Sequence, residues 1–237
     1  TQAKRFGAEV VLPLAITSVR IEDPYRFLTL SDGSELSCHA LVLATGMSVR
    51  RLDVPGIDPL TGAGVFYGAA LSEAAACKGK HIFVVGGANS AGQAAMLFSR
   101  HASKVTMLVR GPSLKATMSQ YLLSRIEETE NIEVMTGSQV VSVFGERHLD
   151  RICVDRQGQQ ETFETQHLFI FIGAQPRSEC VTGLVEMDGG NFILTGTDLL
   201  RGGSRPVGWR LDRDPFLLET SVPGIFAAGD VRHGSTK

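Results

Sequence analysis

The sequence predicts an α/β fold with a parallel sheet, and three observations support that prediction. Between residues 80 and 173, short apolar runs typical of strands alternate with stretches of helical spacing. A glycine-rich turn at residues 86–91 lies between the first such run and the first helical stretch. The chain has 237 residues, which is enough for one large domain or two small ones.

Residues 9–46 alternate polar and apolar side chains as strands do. The segments VVLPLAITSVRIED and YRFLTL are predicted strands, and Asp32-Gly33 is a predicted hairpin turn because glycine accepts a positive φ. LSCHALVLATG is a predicted third strand, and its apolar part at residues 40–44 is expected to be buried on both faces. Residues 54–68 are rich in Pro and Gly and have no period, so we expect a crossing between domains.

Residues 80–173 are predicted to form strand, helix, strand, helix and strand in that order. The segments are IFVV, GQAAMLFSRHAS, KVTMLVR, SQYLLSRIEETE and IEVMTG. This alternation indicates a parallel sheet with right-handed crossovers. A hairpin of VVSVFGER, DRICVDR and ETFETQ follows, with a turn at Gln157-Gly158-Gln159, and HLFIFI is a final buried strand.

Composition and charge exclude several classes of protein. Lys and Arg total 23 and Asp and Glu total 25, so the formal net charge is −2. This balance lacks the basic excess that nucleic-acid or membrane-surface binding requires. With 43% hydrophobic residues and 26 glycines, the composition is that of a globular protein rather than a disordered or fibrous one. No apolar run approaches the roughly 18 residues of a transmembrane helix.

The spacing of the cysteines and histidines in the sequence does not match that of a metal site. Cys38, Cys77, Cys153 and Cys180 are far apart, and no two have CxxC or zinc-site spacing. This usage is typical of a reducing compartment, so a cytoplasmic location is expected. The six histidines form no HxxxH or HExxH set, and neither a GxSxG motif nor a pair of carboxylates stands out. No catalytic side chain is therefore assigned.

The turn at residues 86–91 is the first candidate binding site. A glycine turn between a buried strand and a helix lets the backbone approach a diphosphate, and the helix N-terminus supplies free N–H donors. The dinucleotide fingerprint is GxGxxG or GxGxxA, and this chain has alanine at the second glycine position. A tight turn without a ligand is the alternative. The candidate residues are Gly86, Gly87, Ala88, Asn89, Ser90 and Ala91.

The end of the next strand predicts which dinucleotide binds. NAD sites place Asp or Glu about 20 residues after the glycines, where it accepts from the ribose 2′-OH. This chain has Arg110 there, and Lys115 follows. A guanidinium suits a 2′-phosphate through charge-assisted hydrogen bonds, so NADPH is favoured. The alternative is that Arg110 is a solvated residue at a strand end.

The order of motifs resembles the thioredoxin reductase branch of the flavin-dependent disulfide reductases. The motifs are ATG at residues 44–46, a Pro-Gly crossing, VVGGANSA, VTMLVRG, FIFIGAQPR and SVPGIFAAGD. They span essentially the whole chain in the family's order. The resemblance implies two Rossmann-like three-layer domains. An FAD-binding domain at residues 1–62 and 199–237, incomplete here, would be interrupted by an NADPH-binding domain at residues 63–198.

The resemblance also implies FAD and NADPH as cofactors and assigns further residues to them. Residues 44–46 would lie against the flavin nucleotide, and Asp230 would accept a hydrogen bond from its ribityl chain. A plain strand-end turn is the alternative interpretation of residues 229–230. The additional cofactor candidates are Ala44, Thr45, Gly46, Gly173, Gly229 and Asp230.

The chain departs from the family at two places. The glycine loop that binds the ADP half of FAD in the family precedes anything present here. The family's CxxC dithiol would fall at residues 67–72, which contain no cysteine. Cys77 lies downstream without a second cysteine within three residues, and one thiol cannot both attack a disulfide and resolve the mixed disulfide. Cys77 is therefore predicted to be a small residue near a helix end.

These observations predict an NADPH-dependent FAD oxidoreductase that resembles thioredoxin reductase, passes hydride from NADPH to FAD and lacks the CxxC dithiol. The alternatives are a ferredoxin- or flavodoxin-type NADP reductase, and a non-catalytic NADPH-sensing module of a larger signalling protein. The expected partner is a small redox protein or a disulfide substrate, and homodimers are usual in this family. Because the sequence opens at Thr1 without a signal pattern, we expect a piece of a longer protein.

Overall fold

The computed structural model describes residues 2–68 and 71–235, and the chain divides into two compact units. The discontinuous unit comprises Thr1–Ser48 and Ala174–Lys237, and the continuous unit comprises Val49–Gly173. The boundaries predicted after residues 62 and 198 differ from this division. The reason is packing: Leu52 and Val54 lie against the core of the continuous unit, whereas Val181 and Ile193 lie in the core of the discontinuous unit.

The helices and strands are numbered in chain order. They are α1 Gln2–Arg5, β1 Ile16–Glu22, β2 Tyr25–Leu30, β3 Glu35–Cys38, β4 Leu41–Leu43, β5 Met47–Val49, α2 Ile57–Leu60, β6 Val65–Tyr67, α3 Leu71–Ala76, β7 His81–Val85, α4 Asn89–Ser99, β8 Lys104–Val109, α5 Gln120–Glu127, β9 Ile132–Thr136, β10 Ser138–Phe144, β11 Arg151–Arg156, β12 Gln159–Glu164, β13 Leu168–Ile170, β14 Ala174–Pro176 and β15 Ile225–Ala227. Within the described residues, every helix is too short or too polar to span a bilayer.

The continuous unit is built on a five-stranded sheet of order β6-β13-β7-β8-β9, in which each neighbouring pair is parallel. After His81, its central strand β7 is apolar because both faces are covered. Ile82 and Val84 pack with Phe98 of α4 on one face, and Phe83 and Val85 pack with strand β11 on the other. The predicted strand–helix–strand order and the parallel sheet are confirmed.

The hairpin of the continuous unit is also confirmed. Strands β10, β11 and β12 form an antiparallel sheet in that order. Gln157 and Gly158 connect β11 to β12 with φ values of 56° and 88°. Two successive positive φ values are typical of the tight turns that match the twist of a hairpin.

The prediction for residues 54–68 is wrong. This segment contains α2 and β6, and β6 is the edge strand that pairs with β13. Three strand residues between Gly64 and Gly68 are too few to show a period. Gly64 is required by packing, since a Cβ at this position would lie 2.7 Å from the carbonyl oxygen of Gln166.

The discontinuous unit has smaller sheets. Strands β1, β2 and β3 form an antiparallel meander, β4 pairs in parallel with β15, and β5 pairs with β14. The predicted turn at Asp32-Gly33 is confirmed between β2 and β3. The first predicted strand is too long, because β1 begins only at Ile16.

The third predicted strand of this unit is wrong in two respects. It is split into β3 and β4, with a break at residues 39–40. Its apolar part is also not buried on both faces: Leu41 and Leu43 are buried, whereas Val42 is 63% exposed. The cause is that β4 packs against the core of its unit through one face only.

Candidate functional site

The glycine turn lies between β7 and α4, at the carboxyl end of the central strand of the five-stranded sheet. Gly86 has a φ of 143°, and a Cβ there would lie 2.4 Å from the carbonyl oxygen of Phe171. Its amide donates to the carbonyl of Leu108, at 3.0 Å. The turn is therefore enclosed by the chain on both sides, and only glycine fits at this position.

The N-terminus of α4 is open to an anion. Ala88 precedes the helix in an extended conformation, and no side chain in the described part of the chain caps the helix. Residues 88–90 are exposed, whereas Ala91 is fully buried beneath the turn. Uncapped amides can donate hydrogen bonds to a diphosphate, and the positive end of the helix dipole favours its negative charge. The geometry therefore fits the diphosphate of a dinucleotide.

Gly87 has a different role from Gly86. A Cβ at Gly87 would lie 2.9 Å from Cγ1 of Val109 and 3.4 Å from Cδ2 of Leu114. Its lack of a side chain lets the segment that follows β8 pack directly onto the turn. The second glycine thus brings a neighbouring part of the protein close to the helix N-terminus.

That neighbouring segment carries Arg110 and Lys115. Both residues are exposed, and in the described part of the chain neither side chain forms an ion pair or a hydrogen bond. Arg110 follows β8 directly, and β8 pairs with β7 up to Leu108 and Val85. Two cations without a partner among the described residues therefore lie on the segment that contacts the glycine turn through Leu114 and Thr117.

Two residues that sequence reasoning missed tie this segment to the turn. The hydroxyl of Thr117 donates to the carbonyl of Gly87, at 2.6 Å, and the amide of Ser119 donates to Oδ1 of Asn89, at 2.8 Å. No motif or period in the sequence indicates them, because each contact joins residues 30 positions apart.

Gly173 lies at the same edge of the sheet. It follows β13, which pairs with β7 so that Ile170 is opposite Val85. Its φ is 90°, and its carbonyl accepts from the amide of Arg50. Among the residues that the structure describes, only its chain neighbours come within 4 Å of the position of a Cβ. The structure therefore brings the glycine turn, Arg110 and Gly173 to the carboxyl ends of three adjacent strands.

In the discontinuous unit, the candidate flavin residues also share one edge. Residues 44–46 follow β4 and residues 229–230 follow β15, and these two strands are parallel with Leu43 opposite Ala227. The amide of Ala228 donates to the carbonyl of Leu43, at 2.9 Å. Gly46 and Gly229 have φ values of 70° and 73° with open space where a Cβ would be.

The side chains of Thr45 and Asp230 differ in their availability for hydrogen bonds to a ligand. The hydroxyl of Thr45 is engaged, since it donates to the carbonyl of Arg177 at 2.5 Å. The carboxylate of Asp230 has one partner among the described residues, the hydroxyl of Ser235 at 3.4 Å. A carboxylate can accept several hydrogen bonds, so Asp230 fits the role of acceptor for a polyol chain.

Cys77 is a core residue. It follows α3, it is fully buried, and burial raises the pKa of its thiol to about 11. A thiol with such a pKa is neither a ready nucleophile nor a redox group. Of the stretch that corresponds to the family's dithiol, Ala69 and Ala70 lie outside the described residues. All four cysteines are free, and residues 2–68 and 71–235 contain no cluster of three metal-ligating side chains.

The parallel sheet with a glycine turn between its central strand and a helix is the fold of a dinucleotide-binding α/β protein. Residues 1–237, the whole chain, match the model of the pyridine nucleotide-disulphide oxidoreductase family. The chain belongs to this family, whose thioredoxin reductases are oxidoreductases that use NADPH and FAD.

The similar proteins include several thioredoxin reductases. The chain is 32% identical over 242 residues to the thioredoxin reductase of Chlamydia trachomatis, covering 98% of this chain and 69% of that protein. It is 31% identical over 232 residues to the bifunctional thioredoxin reductase/thioredoxin of Mycobacterium leprae, covering 97% of this chain but only 46% of that protein.

Solved structures agree with the sequence relatives. The thioredoxin reductase from Giardia duodenalis superposes with a TM-score of 0.74 at 25% identity, covering 98% of this chain and 70% of that chain. The thioredoxin reductase from Streptococcus pyogenes superposes with a TM-score of 0.72 at 25% identity, covering 100% of this chain and 70% of that chain.

Proposed function

We propose that the continuous unit binds NADPH, that the discontinuous unit contributes to an FAD site, and that hydride passes from NADPH to FAD. The observation that supports this most is the uncapped N-terminus of α4 beside two unpaired cations, Arg110 and Lys115. The amides suit the diphosphate, and the cations suit the 2′-phosphate that distinguishes NADPH from NADH.

The chemistry itself belongs to the cofactors, since the nicotinamide supplies a hydride and the flavin accepts it. The residues of this chain bind and orient the two groups. The first turn of α4 holds the diphosphate, and Arg110 and Lys115 hold the 2′-phosphate. The backbone of residues 44–46 would lie against the flavin nucleotide, and Asp230 would accept a hydrogen bond from the ribityl chain.

We propose that electrons leave the flavin for a disulfide of a small redox protein, as the names of the relatives suggest. The burial of Cys77 supports a route that uses no cysteine pair of this chain. The electrons would pass directly to the substrate disulfide or through cysteines outside this chain. A ferredoxin- or flavodoxin-type NADP reductase also needs no dithiol, and the choice of acceptor separates the two.

An anaerobic titration tests the hydride step. The chain is reconstituted with FAD, NADPH is added, and the visible absorbance of the flavin is followed. Rapid bleaching by one equivalent of NADPH is expected. Flavin that binds but does not bleach would indicate a sensing module instead. Thioredoxin and ferredoxin are then added separately to the reduced protein, and reoxidation by thioredoxin alone is expected.

Nucleotide preference has its own test, the substitution Arg110→Ala. Loss of one charge-assisted contact should weaken NADPH binding by about 1.5–3 kcal/mol and leave NADH binding nearly unchanged. Arg156→Ala is the matched control, since Arg156 is an exposed arginine at the end of another strand of the same unit. Calorimetric titration measures both affinities, and equal losses for the two nucleotides would contradict the assignment.

A further inference from the structure

We propose that Thr117 is a positioning residue that sets the preference for NADPH by holding Lys115 beside the glycine turn. This inference rests on the proposed NADPH site. It assigns a role to an uncharged residue that touches no phosphate in the proposal. The contacts that carry it join Thr117 to Gly87 and Ser119 to Asn89, and we call these two contacts the latch.

The first contact of the latch is a short hydrogen bond from the side chain of Thr117. Its hydroxyl donates to the carbonyl of Gly87 at 2.6 Å, while the carbonyl of Leu114 is 3.5 Å away. The hydroxyl therefore bonds mainly across to the turn. Since Gly87 has no side chain, the segment can approach closely enough for this bond.

The second contact lies at the start of α5. Ser119 immediately precedes this helix, and its amide donates to Oδ1 of Asn89, the first residue of α4. The side chain of Asn89 is therefore engaged in joining the N-termini of two helices. Both contacts of the latch end within the residues that would hold the diphosphate.

The latch restrains one part of the basic segment in particular. Arg110 is held independently, because it follows β8 directly and the carbonyl of Gly111 accepts from the amide of Gly137 at 3.1 Å. Lys115 is an exposed residue of the turn 114–118, in which the amides of Thr117 and Met118 donate to the carbonyl of Leu114 and the amide of Lys115 donates to Oγ of Ser113 at 3.0 Å. The hydroxyl of Thr117 joins this turn to Gly87. Loss of the Thr117 contact should therefore loosen the turn that carries Lys115 and leave Arg110 in place.

The test substitutes Thr117→Val in the full chain and measures NADPH and NADH affinities by calorimetry. Valine keeps the shape but removes the donor, so NADPH affinity should fall roughly three- to tenfold, with NADH affinity within about twofold of the parent. Thr117→Ser keeps the hydroxyl, so this variant should bind NADPH about as tightly as the parent chain does. If the valine variant does not fold, Thr117→Ala also removes the hydroxyl and is measured instead.

Thr129→Val is the matched control. Thr129 donates its hydroxyl to the carbonyl of Arg125 at 2.7 Å, so the variant loses a comparable bond away from the turn. It should change neither affinity. Equal weakening of NADPH and NADH in Thr117→Val, or no weakening of NADPH, would overturn the proposal.

A double-mutant cycle separates this inference from the proposed function. The effect of Thr117→Val should vanish in a Lys115→Ala background and persist in an Arg110→Ala background. If Thr117→Val weakens NADPH binding to the same extent in both backgrounds, Thr117 does not act through Lys115. If the parent chain binds no NADPH, or if Arg110→Ala and Lys115→Ala both leave NADPH binding unchanged, the proposed NADPH site itself fails.

Discussion

The two units both present glycine turns at the carboxyl ends of parallel strands, but they build these turns differently. In the continuous unit, a Cβ at Gly86 would meet the backbone of Phe171 at 2.4 Å. In the discontinuous unit, apart from the adjacent residues of the chain, no described residue has an atom within 4 Å of a Cβ at Gly46 or Gly229. The first turn is fixed by the surrounding protein, whereas the second pair borders open space. Crowding by the protein therefore explains the glycine at position 86, whereas a positive φ alone explains Gly46 and Gly229, as it does Gly173 of the continuous unit.

The largest expected effect distinguishes these two kinds of glycine. Gly86→Ala should lower the free energy of unfolding by about 3 kcal/mol or more, because it adds a backbone clash to an unfavourable φ. Gly229→Ala has only the φ cost, about 1 kcal/mol. Urea denaturation followed by far-UV circular dichroism measures both. Equal losses would show that the crowding around Gly86 does not distinguish the turns.

A buried carboxylate in the discontinuous unit should give the next largest effect. Glu219 is fully buried and accepts from Arg213 at 2.6 and 3.0 Å, and from two backbone amides. Glu219→Gln should cost about 2 kcal/mol, since it weakens charge-assisted bonds at a buried site. Trp209 fluorescence is the probe, because its Nε1 donates to the carbonyl of Arg213. Asp214→Asn, at an exposed pair with Arg205, is the control and should change stability by less than about 0.5 kcal/mol.

The two units should also lose stability in different pH ranges. Burial alone would raise the pKa of Glu219, but hydrogen bonds from Arg213 and two amides outweigh burial and lower this pKa below its usual 4.5. The stabilisation that ionised Glu219 provides is present above the usual pKa of 4.5 and is lost as the pH falls through the lower pKa of the folded state. Burial lowers the pKa of His81 and of His167 below the usual 6.5. The continuous unit should therefore begin to lose stability as the pH falls below about 6.5.

Hydrogen exchange measured on peptides from each unit can separate these ranges. Between pH 7.5 and 5.5, protection should fall in the continuous unit and hold in the discontinuous unit. His167→Phe should reduce the pH dependence, because the imidazole already lies in a stack with Phe66 and Phe169, and its Nδ1 has no hydrogen-bond partner in the described structure. An unchanged pH dependence in this variant would exclude His167 as a source of the acid sensitivity.

The smallest expected effect concerns Cys77. Since burial raises its pKa to about 11, alkylation by iodoacetamide at neutral pH should be much slower at Cys77 than at the half-buried Cys38. Mass spectrometry of peptides measures both rates. Cys77→Ala should leave the reoxidation of the NADPH-reduced flavin by thioredoxin unchanged, and loss of that reoxidation in a folded variant would contradict the proposed electron route.

The predictable part of the fold is the part with local periodicity. Strands β7, β8 and β9 with helices α4 and α5 were predicted because each shows its own apolar period within a short window. The turns at Asp32-Gly33 and Gln157-Gly158 were predicted because glycine accepts φ values that other residues avoid. Strand β6 was missed because three residues show no period, and the exposed face of β4 was missed because an apolar run does not reveal which of its faces is covered.

The sequence by itself determined the order of strands and helices in residues 80–173, the position of the glycine turn and the two cations that follow the next strand. Each of these depends on residues close together in the chain, where periodicity and residue type carry the information. Only the tertiary structure decided that Gly87 faces Val109, that Thr117 bonds to Gly87 and that Cys77 lies in the core. Those contacts depend on how distant segments pack, and no local pattern of side chains specifies them.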